Sequence, residues 1–242
     1  MEEKELDEKN VKKFLEMDFN NDPERHEIDW YLERVPNSFY TYKEKDNNKH
    51  ISALDMLFNK DMILTPCEFH MSGMDHGFYC KPSWDWINPL SDYLKGKKVL
   101  DVMAGNGLIS LCLKHLGVDV DACDRAIGED NKYTNYRCWD FPIISGEKYI
   151  EDQKEKGIVY DTILMIWPEY DGDGSDKKIC DLFLESNPNG EIIFIGEDAG
   201  GCTGSDAFFN SYELDWIFEL SNYYTPDWGI YDGIYRASKI RK

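Results

Sequence analysis

VLDVMAGNGLIS, residues Val99 to Ser110, is the stretch whose reading decides the fold. A β-branched and aliphatic run ends on an acid and passes directly into Ala104-Gly105-Asn106-Gly107. Two glycines within four residues suit neither a strand interior nor a helix interior. They suit a tight turn where backbone comes close to something else. KKVLDV in front reads as a strand. LISLCLKHLG behind reads as a helix, with Gly117 placed as its stop.

The same alternation continues outward. VDVDACD reads as a second strand, followed by a polar helical or loop stretch to Trp139 and a short strand at FPIIS. YDTILMIW is almost wholly apolar, as a strand buried on both faces would be. DKKICDLFLES reads as a helix, GEIIFIGE as a fifth strand and WGIYDGIYRASK as a final one. Strands alternating with helices predict βαβ units, a parallel sheet and right-handed crossovers. Ligands of such sheets sit beyond the carboxyl ends of the strands, and the Ala104–Gly107 loop falls at that position. Asp124 ends the second strand, 23 residues beyond Asp101, where an acid accepts hydrogen bonds from two ribose hydroxyls. A tight turn without a ligand is the plainer alternative.

Composition bounds the rest. The chain has 242 residues, 42% hydrophobic and 14% aromatic, which suits one α/β domain with an extension or two small domains. The boundary is placed at residue 90: residues 1–90 are an N-terminal, mainly helical extension and 91–242 the sheet domain. Leu6, Val11, Phe14 and Leu15 give the extension a helical pattern, and YKEKDNNKH a turn-rich piece. MEEKELDEKN has no apolar core, so no secretory signal is read, and no apolar run is long enough to span a bilayer. A cytoplasmic location is expected. Seven cysteines, an odd number, suggest a reduced compartment. A net charge of −20 opposes binding to a phosphate backbone, so nucleic-acid partners are not expected. The acidic stretches Glu2–Glu8 and Asp171–Asp176 read as solvated faces.

Two metal patterns fall short. Cys67-x₂-His70 and His76-x₃-Cys80 offer four zinc ligands, but only five residues separate the pairs, so no metal is expected. DGDGSD has Asp176 and Leu182 where an EF-hand needs glycine and glutamate.

A dinucleotide fingerprint needs a third glycine, and Ser110 stands at that offset. DVMAGNG instead resembles motif I of class I S-adenosylmethionine-dependent methyltransferases, with Met103 in place of that pattern's first glycine. TILMIWPEY resembles motif IV of the same family, keeping one proline and the aromatic of its Pro-Pro-Tyr/Phe signature without the leading polar residue. SWDWINP and IGEDAGGCTGSDAFF extend the likeness to a branch of that family with Trp-Pro-Pro-Tyr after strand four and Gly-Gly-Cys-Thr-Gly after strand five. The likeness covers roughly residues 80 to 236. It implies a Rossmann-like α/β fold: a mostly parallel seven-stranded sheet flanked by helices, closed by an antiparallel strand. It implies S-adenosyl-L-methionine as cofactor, Asp124 as the ribose acid and Gly146-Glu147 as the adenine-side turn.

Methyl transfer from a sulfonium needs alignment more than activation. Gly105 and Gly107, with Ala104, would let backbone approach the cofactor, and Asp101 would receive its amino group. Trp167 or Tyr170 would stack on adenine or face the sulfonium; for Trp167 an ordinary buried aromatic fits equally. Glu169 and Glu197 are candidate proton acceptors, and Pro168 would leave nearby carbonyls free to orient the acceptor. Asp198 would anchor substrate or merely cap a turn. Trp84 would cover the pocket or glue the extension to the sheet. The expected activity is methyl transfer to a nitrogen or oxygen of a small molecule or protein. Rival readings are a non-catalytic cofactor-binding module, a nucleic-acid methyltransferase and a nicotinamide-dependent oxidoreductase.

Overall fold

The computed structural model describes residues 8–15, 28–37, 79–125, 137–170, 172–199, 201–224, 226 and 230–240. Cys67, His70 and His76 of the zinc pattern, YKEKDNNKH and the first acidic stretch apart from Glu8 lie outside them.

Among the described residues, α1 (Glu8–Leu15) and α2 (Ile28–Leu32) come first. The remaining elements in chain order are α3 (Trp84–Tyr93), β1 (Lys98–Val102), α4 (Leu108–His115), β2 (Asp119–Cys123), α5 (Gly146–Glu155), β3 (Thr162–Ile166) and α6 (Ser175–Ser186). After these come β4 (Glu191–Glu197), α7 (Asp206–Phe209), β5 (Tyr212–Trp216), α8 (Phe218–Ser221) and β6 (Asp232–Lys239). Among the described residues the strands form one sheet in the order β2-β1-β3-β4-β6-β5. The first four are mutually parallel, and β6 runs antiparallel to both of its neighbours.

Alternation along each strand sorts side chains onto two covered faces. Val99, Leu164, Ile166, Ile193 and Ile195 join α3, α4 and α8 on one face. Leu100, Val102, Ile163, Met165, Ile192 and Phe194 join α5, α6 and α7 on the other. Burial on both faces is why TILMI reads as an unbroken apolar run. Trp30, Tyr31, Leu32 and Val35 also pack into the first face. The chain entering α3 is pinned to that segment by Trp84 and Asp85 N–H donation to the Pro36 and Asn37 carbonyls, each at 3.0 Å.

Among the described residues the sheet has six strands, where seven were expected. FPIIS is reduced to one parallel bridge, Asp124 to Ile143. Pro142 has no N–H for a ladder, and Ser145 already caps α5 by accepting from Lys148 N–H. With that bridge outermost, the order around β1 is the doubly wound one, and its reversal falls between β1 and β3. The sequence reading did not name β5. YELDW alternates apolar and acidic residues with period two, so its signal was present. Ile192 to Ile195 are strand, the antiparallel closing strand is β6, and Gly117 follows α4 at φ 86°.

Candidate functional site

The loop from Met103 to Gly107 leaves β1 at the reversal of strand order. Gly105 (φ 58°) and Gly107 (φ 78°) take left-handed conformations, and so does Met103 at φ 58°. Trp167, the residue after β3, is the other described non-glycine with positive φ, at 51°. Two neighbouring strands therefore end on strained residues at the same edge. Strain of this kind persists only where the surroundings over-determine it.

A small cleft opens there, lined by Asp101, Met103, Ala104, Gly105, Asn106, Leu108, Ile109 and Ile166 from the sheet region. Tyr79, Cys80 and Pro82 close it from the segment before α3. Asp101 shares a face with Val99 and is 1% exposed. Its Oδ1 has no hydrogen-bond partner among the described residues. Burial is the main cause that pushes its carboxyl up to about 8, the Asp124 charge adding to it and the Ser110 hydroxyl opposing it. Asp124 closes the turn: its Oδ2 accepts the Gly105 N–H at 2.7 Å. Burial first, and then the charge of Glu169, hold it up at about 6 against the pull of that N–H and of Arg125. Asp101, Asp124 and Glu169 thus converge at the reversal point.

The glycines serve different ends. A Cβ on Gly107 would lie 2.5 Å from the Phe141 ring, and Gly107 does not line the cleft, so packing and its conformation require glycine there. Its carbonyl accepts the Trp139 indole N–H at 3.1 Å. Gly146 is the first residue of α5, where a Cβ would meet the Ile179 side chain at 2.7 Å, and Glu147 follows it on the helix. Asn106 Oδ1 accepts from Leu108 N–H at 3.1 Å across the turn that leads into α4, whose N-cap is Gly107.

The loops after β3 and β4 are zipped together. Gly204 N–H donates to the Pro168 carbonyl at 2.9 Å, and Glu169 bridges Thr203. The Pro168 carbonyl is thus engaged rather than free. Trp167 is buried, its indole donating to Asp232 Oδ2 at 3.0 Å, while the Tyr224 hydroxyl donates to the same oxygen. That geometry favours the ordinary buried aromatic over a stacking platform. Glu197 is a clamp: Oε2 accepts Cys202 N–H at 2.6 Å and Oε1 accepts Tyr231 N–H at 3.1 Å. Burial opposes its ionisation, but these amides outweigh it and hold the carboxyl below its usual range. A carboxylate so occupied is a poor proton acceptor. Asp198 is exposed and accepts from Ala199 N–H, a turn contact. Glu169 and Tyr170 are exposed at the end of the β3 loop.

Ser205 is the N-cap of α7, its Oγ accepting Phe208 N–H at 3.1 Å. Trp84 starts α3 and packs on the first face, 6.4 Å from the His115 ring and away from the cleft lining. The sequence reading missed Tyr79 and Pro82, which carry no motif of their own, and the buried Asp232; it weighed Cys80 only as a zinc ligand. Leu108 and Ile109 were findable, since they open the helix directly behind the glycine loop.

No protein-family model matches the chain. No curated protein matches it either. Solved structures do. A SAM-dependent methyltransferase from Agrobacterium tumefaciens aligns at 14% identity over 62% of this chain and 59% of that one, with a TM-score of 0.37. A magnesium protoporphyrin IX methyltransferase from Synechocystis PCC 6803 with bound SAM aligns at 12% identity over 77% and 90%, TM-score 0.41. A SAM-dependent methyltransferase from Bacteroides fragilis in complex with S-adenosyl-L-homocysteine aligns at 17% over 64% and 77%, TM-score 0.39. The chain spans less than two thirds of the length of the Agrobacterium protein.

Proposed function

We propose that this chain is an S-adenosylmethionine-dependent methyltransferase acting on a nitrogen or oxygen nucleophile of a small molecule or protein. One observation carries the reading. A buried carboxyl oxygen without a partner among the described residues, Asp101 Oδ1, belongs to a cleft at the reversal of strand order, beside a glycine turn held by a second acid. An orphaned acceptor of this kind fits the amino group of an amino-acid moiety, and an acid ending β2 fits ribose hydroxyls. Ala104 and Gly105 supply backbone at the cleft wall.

When bound, the cofactor supplies a methyl group already activated by the positive sulfonium. The chain's own residues then bind and orient. Asp101 and Asp124 hold the two polar ends, and Leu108, Ile109 and Ile166 exclude water from the cleft. Glu169 is the proton acceptor we assign, because its charge reaches Asp124 and no backbone amide occupies its carboxylate among the described residues. Tyr170 flanks the acceptor. Glu197 positions the loop after β4 and takes no proton itself.

Calorimetry with S-adenosyl-L-homocysteine tests the cofactor. Wild type should bind, and Asp101→Asn should bind about tenfold or more weakly, the scale of a lost charge-assisted hydrogen bond. Absence of binding by the wild-type chain, or equal binding by the variant, removes the reading.

A further inference from the structure

Between Lys178 and Arg236 the sequence has eleven Asp and Glu residues and no Lys, Arg or His. That span starts within α6, where Asp181 is paired with Lys177 and Lys239, and Glu191 at the start of β4 is paired with Lys97 and Arg236. The eight acids from Glu197 onward run from the carboxyl end of β4 through its loop, α7, β5 and α8 to the start of β6. Large aromatics stand exposed on it: Tyr231 at 84%, Phe218 at 69% and Trp216 at 49%. Tyr170, on the loop zipped to the β4 loop, is 57% exposed. Folded chains rarely leave this many large aromatics in water at one end of a sheet without a use for them.

The patch is held rigidly. The Trp216 ring lies across Gly233, where a Cβ would sit 2.6 Å from it, and its centroid is 4.6 Å from that of Tyr235. α8 is fastened by Ile217 N–H and Ser221 Oγ, both donating to the Ile234 carbonyl. Tyr231 is fixed to the end of β4 through its N–H on Glu197. On the same elements and the loops adjoining them Glu169, Asp198, Asp206, Asp215 and Glu219 are exposed, and none pairs with a cation among the described residues.

We infer that this surface docks a Lys- and Arg-rich peptide segment of a partner protein. Aromatic faces attract ammonium and guanidinium groups, and an acidic rim steers a cationic chain while repelling a phosphate backbone. Rigid aromatics bind at low entropic cost. The inference rests on the methyltransferase reading only where it names the acceptor class: docking at this edge delivers basic side chains toward the cleft beside Glu169.

The test is fluorescence anisotropy of a labelled peptide of mixed Lys, Arg and Gly, with an acidic peptide of the same length and an RNA oligonucleotide as competitors. The basic peptide should bind at low salt and weaken as salt rises. The paired variant Phe218→Ser/Tyr231→Ala and the paired variant Asp215→Lys/Glu219→Lys should each weaken it about tenfold. Both change exposed side chains, so melting temperature and S-adenosyl-L-homocysteine affinity should be unchanged. Equal peptide affinity in wild type and both variants overturns the inference, as does tighter binding of the RNA. Peptide binding lost in both variants while the wild type fails to bind S-adenosyl-L-homocysteine supports the docking surface and counts against the cofactor assignment alone.

Discussion

Asp124→Asn separates what this carboxylate does for the fold from what it does for a ligand. The amide keeps an oxygen for the Gly105 N–H, which Asp124 now receives at 2.7 Å, and removes the charge. In the folded chain the Asp124 carboxyl is raised to about 6 from 3.8. A raised acid binds its proton more tightly folded than unfolded, so wild type loses stability as pH rises from about 4 through about 6 and no further above it. A displacement of this size corresponds to about 2–3 kcal/mol. Asn undergoes no such loss. In urea unfolding the two proteins should therefore converge near the unfolded carboxylate value. At neutral pH the variant should be the more stable by about 2 kcal/mol. Ligand binding should move the opposite way. Calorimetry with S-adenosyl-L-homocysteine at neutral pH should show a loss of about 1.5–3 kcal/mol for the variant, because hydroxyl donors lose a charged acceptor. Such opposition of stability and function is the signature of a binding group. An Asn variant that is less stable than wild type across the whole pH range, or one that binds equally well, would refute the argument.

Gly107→Ala should cost about 2–4 kcal/mol in urea unfolding, since its Cβ would strike the Phe141 ring at 2.5 Å from a left-handed backbone position. Trp167→Phe should cost about 1–3 kcal/mol, because it leaves buried Asp232 without its indole donor. Glu197→Gln should release one of the two clamped amides, which hydrogen exchange would register as faster exchange at Cys202 or Tyr231. Affinity for S-adenosyl-L-homocysteine should rise with pH toward about 8 as Asp101 ionises against the ligand's amino group, and Asp101→Asn should flatten that rise.

The parallel core was legible in the sequence because its causes are local. VLDV, TILMI and EIIFIGE are apolar enough to be buried on two faces, VDVDAC alternates in the way of a half-buried strand, and the glycine pair with the acid behind it marks a turn that only a few conformations satisfy. Asp101, Ala104, Gly105 and Asp124 follow from that turn, since a strand end and the next residues cannot be far apart. Tertiary structure decided whatever depends on partners distant in the chain. FPIIS has the composition of a strand, yet Pro142 and the cap at Ser145 leave it one bridge. YELDW becomes a strand only because β6 turns back beside it. Glu197 looks like a base beside a glycine loop, but amides from Cys202 and Tyr231 claim both of its oxygens. Trp167 is likewise committed to Asp232, 65 residues on. Hydrogen-bond partners bought by long-range closure leave no trace in local periodicity, so the type of site was written in the sequence and the division of labour among its acids was not.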